Sequence, residues 1–241
     1  MTSRWLREDL ATCCVCATAI RGQYLRSSVG DTWCTSHEAL PNCLWCGAPT
    51  DDSLEQVPSC STCSASAQVR TNYRPAVNRV KNWVAETVGP LPTPVRLRVA
   101  TSASLTAQGH QVSFPAHLGE TRWVVSSRGL ETATVAIVAG LPLAVFERTL
   151  AHEMGHALLA KDLDSSIPLT LVEGLAEVLS YAYLASCVDE RLVRELRQSI
   201  ETNPDPCYGG GFRQVRTSIK QLGLTQAFDV VRTGAWRGLF S

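Results

Sequence analysis

Four pairs with the same two-residue gap constrain this chain more than any other feature: Cys13-x-x-Cys16, Cys34-x-x-His37, Cys43-x-x-Cys46 and Cys60-x-x-Cys63. A two-residue gap places both side chains on one side of a tight knuckle, and two knuckles complete a tetrahedron around zinc. Four knuckles therefore make two closed sites. Taken in order, Cys13, Cys16, Cys34 and His37 form one, and Cys43, Cys46, Cys60 and Cys63 the other; a cross-braced pairing of first with third satisfies the same spacing. Cys14 adjoins a ligand, but the regular gap favours Cys13. A disulfide framework is disfavoured, because one slot holds a histidine and Met1 to Asp9 has no apolar signal core.

Residues 1–70 are short, loop-rich segments, with turn signals at Gly47-Ala48-Pro49 and Asp51-Asp52-Ser53. So small a module builds little apolar core, and metal supplies its folding free energy. Five arginines face seven acidic residues there, a net charge of −2 (5 − 7), whereas nucleic-acid-reading fingers are usually basic. Protein contact is the expected role. The whole chain, 241 residues with 22 basic and 22 acidic side chains, likewise excludes binding to nucleic acid or membrane by bulk charge. Its longest apolar run, near 134–146, is interrupted by Pro142 and is too short to span a bilayer. A cytoplasmic location is expected.

From Tyr73 the apolar period becomes helical through Val77, Val80, Val84 and Val88, and Gly89-Pro90 ends it. This helix and the Pro-rich stretch after it form a connector over 71–94, leading into strands at Val95–Val99, Thr121–Ser126 and Thr134–Ala139. Helices are predicted at Leu143–Leu159, Pro168–Cys187, Asp189–Glu201, Phe212–Leu222 and Thr225–Arg232. Strands followed by helices indicate an α+β domain over 71–241.

The first of those later helices carries His152-Glu153-Met154-Gly155-His156. Helical residues four apart lie one above the other, so both imidazoles can reach one metal ion. Glu153, offset by one residue, can face the open side of that ion and accept a proton from its water. Catalytic zinc needs a third protein ligand. Glu173 follows on the next helix, in a segment, Leu169–Leu184, otherwise broken only by Thr170, Glu177 and Ser180. Carboxylates on so apolar a helix need partners: metal for Glu173, and a ring N–H of a ligand histidine for Glu177.

With these residues in place the chain resembles the LIM-domain-associated, ubiquitin-activated zinc metallopeptidases that limit organ growth in plants, and their bacterial relatives. The likeness runs through Cys34-Thr-Ser-His37-Glu38, Cys43-Leu-Trp-Cys46, Cys60-Ser-Thr-Cys63, Gly140-Leu-Pro142, Leu150-Ala-His152-Glu153-Met154-Gly-His156-Ala157, Val172-Glu173-Gly174 and Tyr208-Gly-Gly-Gly211-Phe212-Arg213. It implies a LIM-like module followed by a gluzincin peptidase domain, one catalytic and two structural zinc ions, protein or peptide substrates, and a ubiquitin or ubiquitin-like activator. The ubiquitin-interacting helices and additional LIM domain of the plant proteins have no counterpart in these residues. Gly155 stands where a bulkier residue is usual, and Glu177 where the plant proteins tend to have glutamine.

Gluzincins commonly place a tyrosine or histidine to donate to the oxyanion, and Tyr208 suits that role; the other reading is a tyrosine anchoring its Gly-rich turn. His110 and His117 read as surface histidines, and Cys187 and Cys207 as buried, unreactive thiols. The function expected is a zinc endopeptidase with Glu153 as base. The alternatives are an aminopeptidase, for which no amine-binding motif is recognisable, and a non-catalytic adaptor, which would not need Glu153.

Overall fold

The computed structural model describes residues 11–26, 31–50, 58–92, 94–101, 118–126, 129–160, 166–188 and 191–238. His110, His117 and the Asp51-Asp52-Ser53 cluster lie outside them. The chain forms two compact units, Met1–Ser66 and Ala67–Ser241.

Unit one is built from a repeated knuckle. In Cys13–Ala17 the Cys13 amide donates to Thr18 O (2.9 Å) and the Ala17 amide to Cys13 O (2.9 Å). Thirty residues on the pattern recurs: Cys43 N to Ala48 O (2.6 Å) and Gly47 N to Cys43 O (2.9 Å). Both turns end in the left-handed region, with φ of 57° at Ala17 and 71° at Gly47. Glycine takes that conformation without penalty, and Ala17 is the costlier choice. The partner pairs sit on short helical turns: Cys34 precedes and His37 ends the turn Thr35–His37, while Cys60 precedes and Cys63 lies on α1 (Ser61–Ala65). A two-stranded hairpin of β1 (Tyr24–Arg26) and β2 (Thr32–Cys34) joins the first knuckle to the first turn. Among the described residues the buried core is Cys13, Ile20, Trp33, Cys43, Cys46, Ala48, Cys60 and Cys63. Five of these eight residues are cysteines.

In unit two, a three-stranded sheet has the order β4 (Val95–Ala100), β6 (Gly129–Val138), β5 (Gly119–Ser126). The central strand pairs parallel with β4 and antiparallel with β5, placing Val135 opposite both Leu97 and Thr121. A second small pairing joins β3 (Ala67–Gln68) to β7 (Leu141–Pro142). No local pattern signals this pairing, because two-residue strands carry no measurable period.

The helices are α2 (Arg74–Thr87), α3 (Leu143–Leu159), α4 (Leu169–Ser186), α5 (Arg191–Thr202), α6 (Gly211–Leu222) and α7 (Leu224–Arg232). The valine stripe of α2 is buried at Val77, Val80, Val84 and Val88, and the helix packs on α3. Arg79 of α2 donates from Nε to Glu147 Oε1 on α3 at 2.9 Å, satisfying a buried carboxylate. α3 is buried on most of its surface, polar residues included, and packs on α2, α4, β5 and β6, with Phe146, Leu150, Met154 and Leu158 fully buried. No described helix is long and apolar enough to cross a membrane.

Candidate metal centres and active site

Both histidines of the HExxH stretch point from α3 toward α4, which supplies the third group. His152 Nε2 lies 3.1 Å from His156 Nε2 and 3.3 Å from Glu173 Oε2, and His156 Nε2 lies 3.5 Å from the same oxygen. A tetrahedral zinc with bonds of about 2.0 Å to nitrogen or oxygen sets its ligand atoms about 3.3 Å apart. The three donors fit that triangle. Glu173 Oε2 is buried and accepts no hydrogen bond, although two imidazole nitrogens lie close by. Such an atom is costly unless a cation takes it up. The three side chains keep 14, 14 and 12% exposure, so the triangle is not fully enclosed.

The separation of α3 and α4 fixes this geometry, and Gly155 permits it. A Cβ on Gly155 would stand 2.9 Å from Ala176 Cα, so the helices touch through backbone at this point. That contact accounts for glycine inside the HExxH stretch. Gly155→Ala should lower the free energy of unfolding by about 1–3 kcal/mol through overpacking, measured by urea titration. An unchanged midpoint would show that the two helices are free to separate.

Behind the triangle, His152 Nδ1 lies 3.3 Å from Glu177 Oε1, and Arg148 Nη2 lies 3.4 Å from both oxygens of that carboxylate. Glu177 fixes the imidazole's orientation and Arg148 neutralises Glu177. Where a glutamine would be neutral, this glutamate has its own cation. Burial alone would raise both carboxyls, but contact with His152 outweighs it, aided by His156 at Glu173 and by Arg148 at Glu177. Each is held at about 2. Burial also opposes a charge on His152, yet contacts with Glu173 and Glu177 dominate and push it up to about 10. The two carboxylates thus place negative charge around the imidazoles, the sign that favours a cation at this point.

Glu153 is buried, one residue round the helix from the triangle, and Thr121 of β5 donates to its Oε2 at 2.7 Å. Tyr208 reaches His152 from another direction, the two rings stacked with centroids 6.2 Å apart. It sits on a π-helical turn, Pro206–Gly210, capped by Asp205 Oδ1, which accepts from the amides of Cys207 (2.7 Å) and Tyr208 (2.8 Å). The turn packs on α4, and α6 begins so close to α4 that a Cβ on Gly174 would lie 2.5 Å from Gly211 O. Burial and the charge of Glu173 push the Tyr208 phenol up to about 12, so it stays protonated and can donate. Asp205 rather than the phenol caps the Gly-rich turn, and the Tyr208 ring faces His152.

In unit one, donor atoms of Cys13, Cys16, Cys34 and His37 lie within 4.8 Å of one another, and so do those of Cys43, Cys46, Cys60 and Cys63. The pairing is sequential, not cross-braced. Cys16 Sγ to Cys34 Sγ is 3.7 Å and Cys46 Sγ to Cys60 Sγ is 3.6 Å. Thiolates bound to zinc at about 2.3 Å would be about 3.8 Å apart. The buried His37 Nε2 has no hydrogen-bond partner, as expected of a nitrogen reserved for a metal. Cys14 stays outside both groups. The Thr18 hydroxyl, 2.8 Å from Cys16 Sγ, pulls that thiol down to about 7, while the contacts among the crowded sulfurs of the second group hold Cys43 low and push Cys46 and Cys63 up, as happens when thiols share protons. Zinc takes the thiolate form.

Two thiols differ from expectation in burial: Cys187 and Cys207 are half-buried. Cys187 lies 3.4 Å from Tyr183 O, and burial with the nearby Glu173 charge pushes Cys207 up, so neither is an activated nucleophile. Thr121 was missed in the sequence. No local signal could have found it, because it reaches Glu153 only through the strand–helix packing.

A model of the DA1-like family matches residues 112–195. Among curated relatives, Protein DA1-related 7 of Arabidopsis thaliana is 28% identical over 126 residues, covering 40% of this chain and 22% of that protein. Protein DA1-related 2 of the same plant is 24% identical over 139 residues, 44% of this chain and 26% of that protein, and Protein DA1 is 23% identical over 133 residues, 44% and 25%. The chain thus spans about a quarter of the length of each. No solved structure matches it. The segment 112–195, which contains the HExxH helix and the helix bearing Glu173 and Glu177, is where this chain is similar to the DA1-like family.

Proposed function

We infer that the protein is a zinc-dependent endopeptidase of the gluzincin type, with a LIM-like module holding two structural zinc ions. The observation that carries this reading is the triangle of His152 Nε2, His156 Nε2 and Glu173 Oε2, at 3.1, 3.3 and 3.5 Å, with the buried Glu153 carboxylate on the same helix. These residues would hold the catalytic ion. When bound, zinc supplies an acidified water and polarises the scissile carbonyl.

The chain's own groups do the rest. Glu153 takes the proton of the attacking water and delivers it to the leaving amine nitrogen. Glu177, held by Arg148, keeps His152 in the orientation that presents Nε2. Tyr208, protonated and stacked near His152, is placed to donate to the developing oxyanion. Glu153 distinguishes this reading from an adaptor: a scaffold gains nothing from a buried carboxylate beside the triangle, which costs desolvation free energy.

Elemental analysis of protein purified without chelator should find three zinc ions per chain, and a chelator should remove the ion at His152, His156 and Glu173 first. Three protein ligands leave that ion an open face, while four ligands enclose each of the others. Sequencing new protein N-termini in cells making wild type or Glu153→Gln then tests the reaction and names its substrates. One zinc or none, or identical N-termini in both cell lines, would overturn the reading.

A further inference from the structure

Strand β5 touches the base of this site at two places. Residues 119 and 121 lie on one face of the strand, and both meet Glu153. The Thr121 hydroxyl lies 2.7 Å from Glu153 Oε2 and 3.0 Å from Glu153 O. Its single proton goes to one of these at a time. The carbonyl belongs to helix α3, whose backbone bonds already engage it, and the charged carboxylate is the stronger acceptor. Beside it, a Cβ on Gly119 would stand 2.8 Å from both Cγ and Oε1 of Glu153 and 2.8 Å from Thr149 Cγ2. The strand therefore leaves room for one half of the carboxylate and binds the other.

Register prevents this arrangement from drifting. Gly119 is opposite Ile137 and Thr121 opposite Val135 on β6, and both partners are fully buried. A one-residue slip would turn Thr121 away from α3 and drive Glu120 toward it. Glu153 has free χ angles and a desolvated carboxylate, so without a second contact it would sample several rotamers. With Oε2 held by Thr121 and Oε1 lodged against Gly119, the carboxylate is kept in one orientation.

We propose that Thr121 is a positioning residue: its hydroxyl fixes the Glu153 carboxylate for proton transfer, and Gly119 supplies the space in which that carboxylate sits. The Thr121 hydroxyl bonds to Glu153 and to no donor of the triangle among the described residues, so it would act through Glu153.

Thr121→Val keeps the shape and removes the donor, Thr121→Ser keeps the donor, and Gly119→Ala fills the space. Because the assignment rests on the endopeptidase reading, Glu153→Gln is carried in parallel. Two measurements are made on zinc-loaded full-length protein: cleavage of unfolded casein, and calorimetric binding of acetohydroxamic acid. A hydroxamic acid binds zinc as its anion and passes its proton to an adjacent carboxylate, so its affinity reports the placement of Glu153 without turnover.

Thr121→Val should lower kcat and hydroxamate affinity by about 10- to 100-fold, the loss expected when a charged group forfeits a hydrogen bond and its alignment. KM and zinc content should stay at wild-type values, Thr121→Ser should recover activity to within about twofold, and Gly119→Ala should resemble Thr121→Val. A purely structural threonine would instead lower stability and leave kcat and affinity unmoved. If Thr121→Val fails to fold, Thr121→Ala, which removes the donor without adding bulk, decides. Wild-type kcat and affinity in a folded Thr121 variant, with Glu153→Gln impaired, would overturn the proposal alone. Wild-type behaviour of Glu153→Gln itself would overturn the endopeptidase reading beneath it.

Discussion

Glu153→Gln should lower peptide cleavage by about 10²-fold or more while leaving three zinc ions bound, because removal of a general base costs that much and Glu153 is no ligand. Glutamine preserves the volume and can still accept from Thr121, so the fold is undisturbed. Glu173→Ala should give the opposite pairing of results: activity and one zinc lost together. Without Oε2, His152 and His156 alone are left, and two ligands hold zinc poorly. Assaying casein cleavage and zinc content on both variants separates base from ligand. If Glu153→Gln loses zinc as well, or Glu173→Ala keeps it, the roles assigned to the two glutamates are wrong.

Cys46→Ser should unfold unit one. Among the described residues the core there is Ile20, Trp33 and Ala48 with five cysteines, edged by half-buried Val15, Leu25 and Trp45, and so small an apolar set cannot offset the conformational entropy of the unit. Structural zinc supplies about 10–16 kcal/mol of apparent binding free energy, which in such modules is folding free energy. Serine at 46 removes one of four buried thiolates, and Cys43, Cys60 and Cys63 are then left in an apolar pocket without a complete site. The expected results are one zinc fewer and rapid proteolysis within residues 1–66. Unit two has its own core in α3, α4, α6 and the sheet, so its protease-resistant fragment should survive. Three zinc ions and wild-type protease resistance in Cys46→Ser would mean that hydrophobic packing suffices to hold the unit together.

The long helices were legible because each has a period or a stop. Val77, Val80, Val84 and Val88 announce α2, and Leu143–Leu159 is the helix both in the sequence and in the structure. The metal-type residues were legible for a related reason: knuckles and helical i, i+4 pairs are local geometry, and spacing encodes local geometry. Glu173 could be selected because a carboxylate stands out on an apolar helix.

Long-range placement was not legible. Spacing allowed both sequential and cross-braced pairing of the cysteines, and the choice depended on where the β1–β2 hairpin and α1 deliver the second knuckles. The distance between α3 and α4 rests on Gly155 meeting Ala176, two residues that no period connects. Tyr208 comes near His152 only because Asp205 caps its turn and Gly174 lets α6 approach. Thr121 meets Glu153 across 32 residues through the register of β5. By itself the sequence determined which side chains can bind metal and which local turn or helix carries each. Only the tertiary structure decided which of them converge, because convergence depends on packing between elements, where one methyl group or one residue of register moves a donor by more than a bond length.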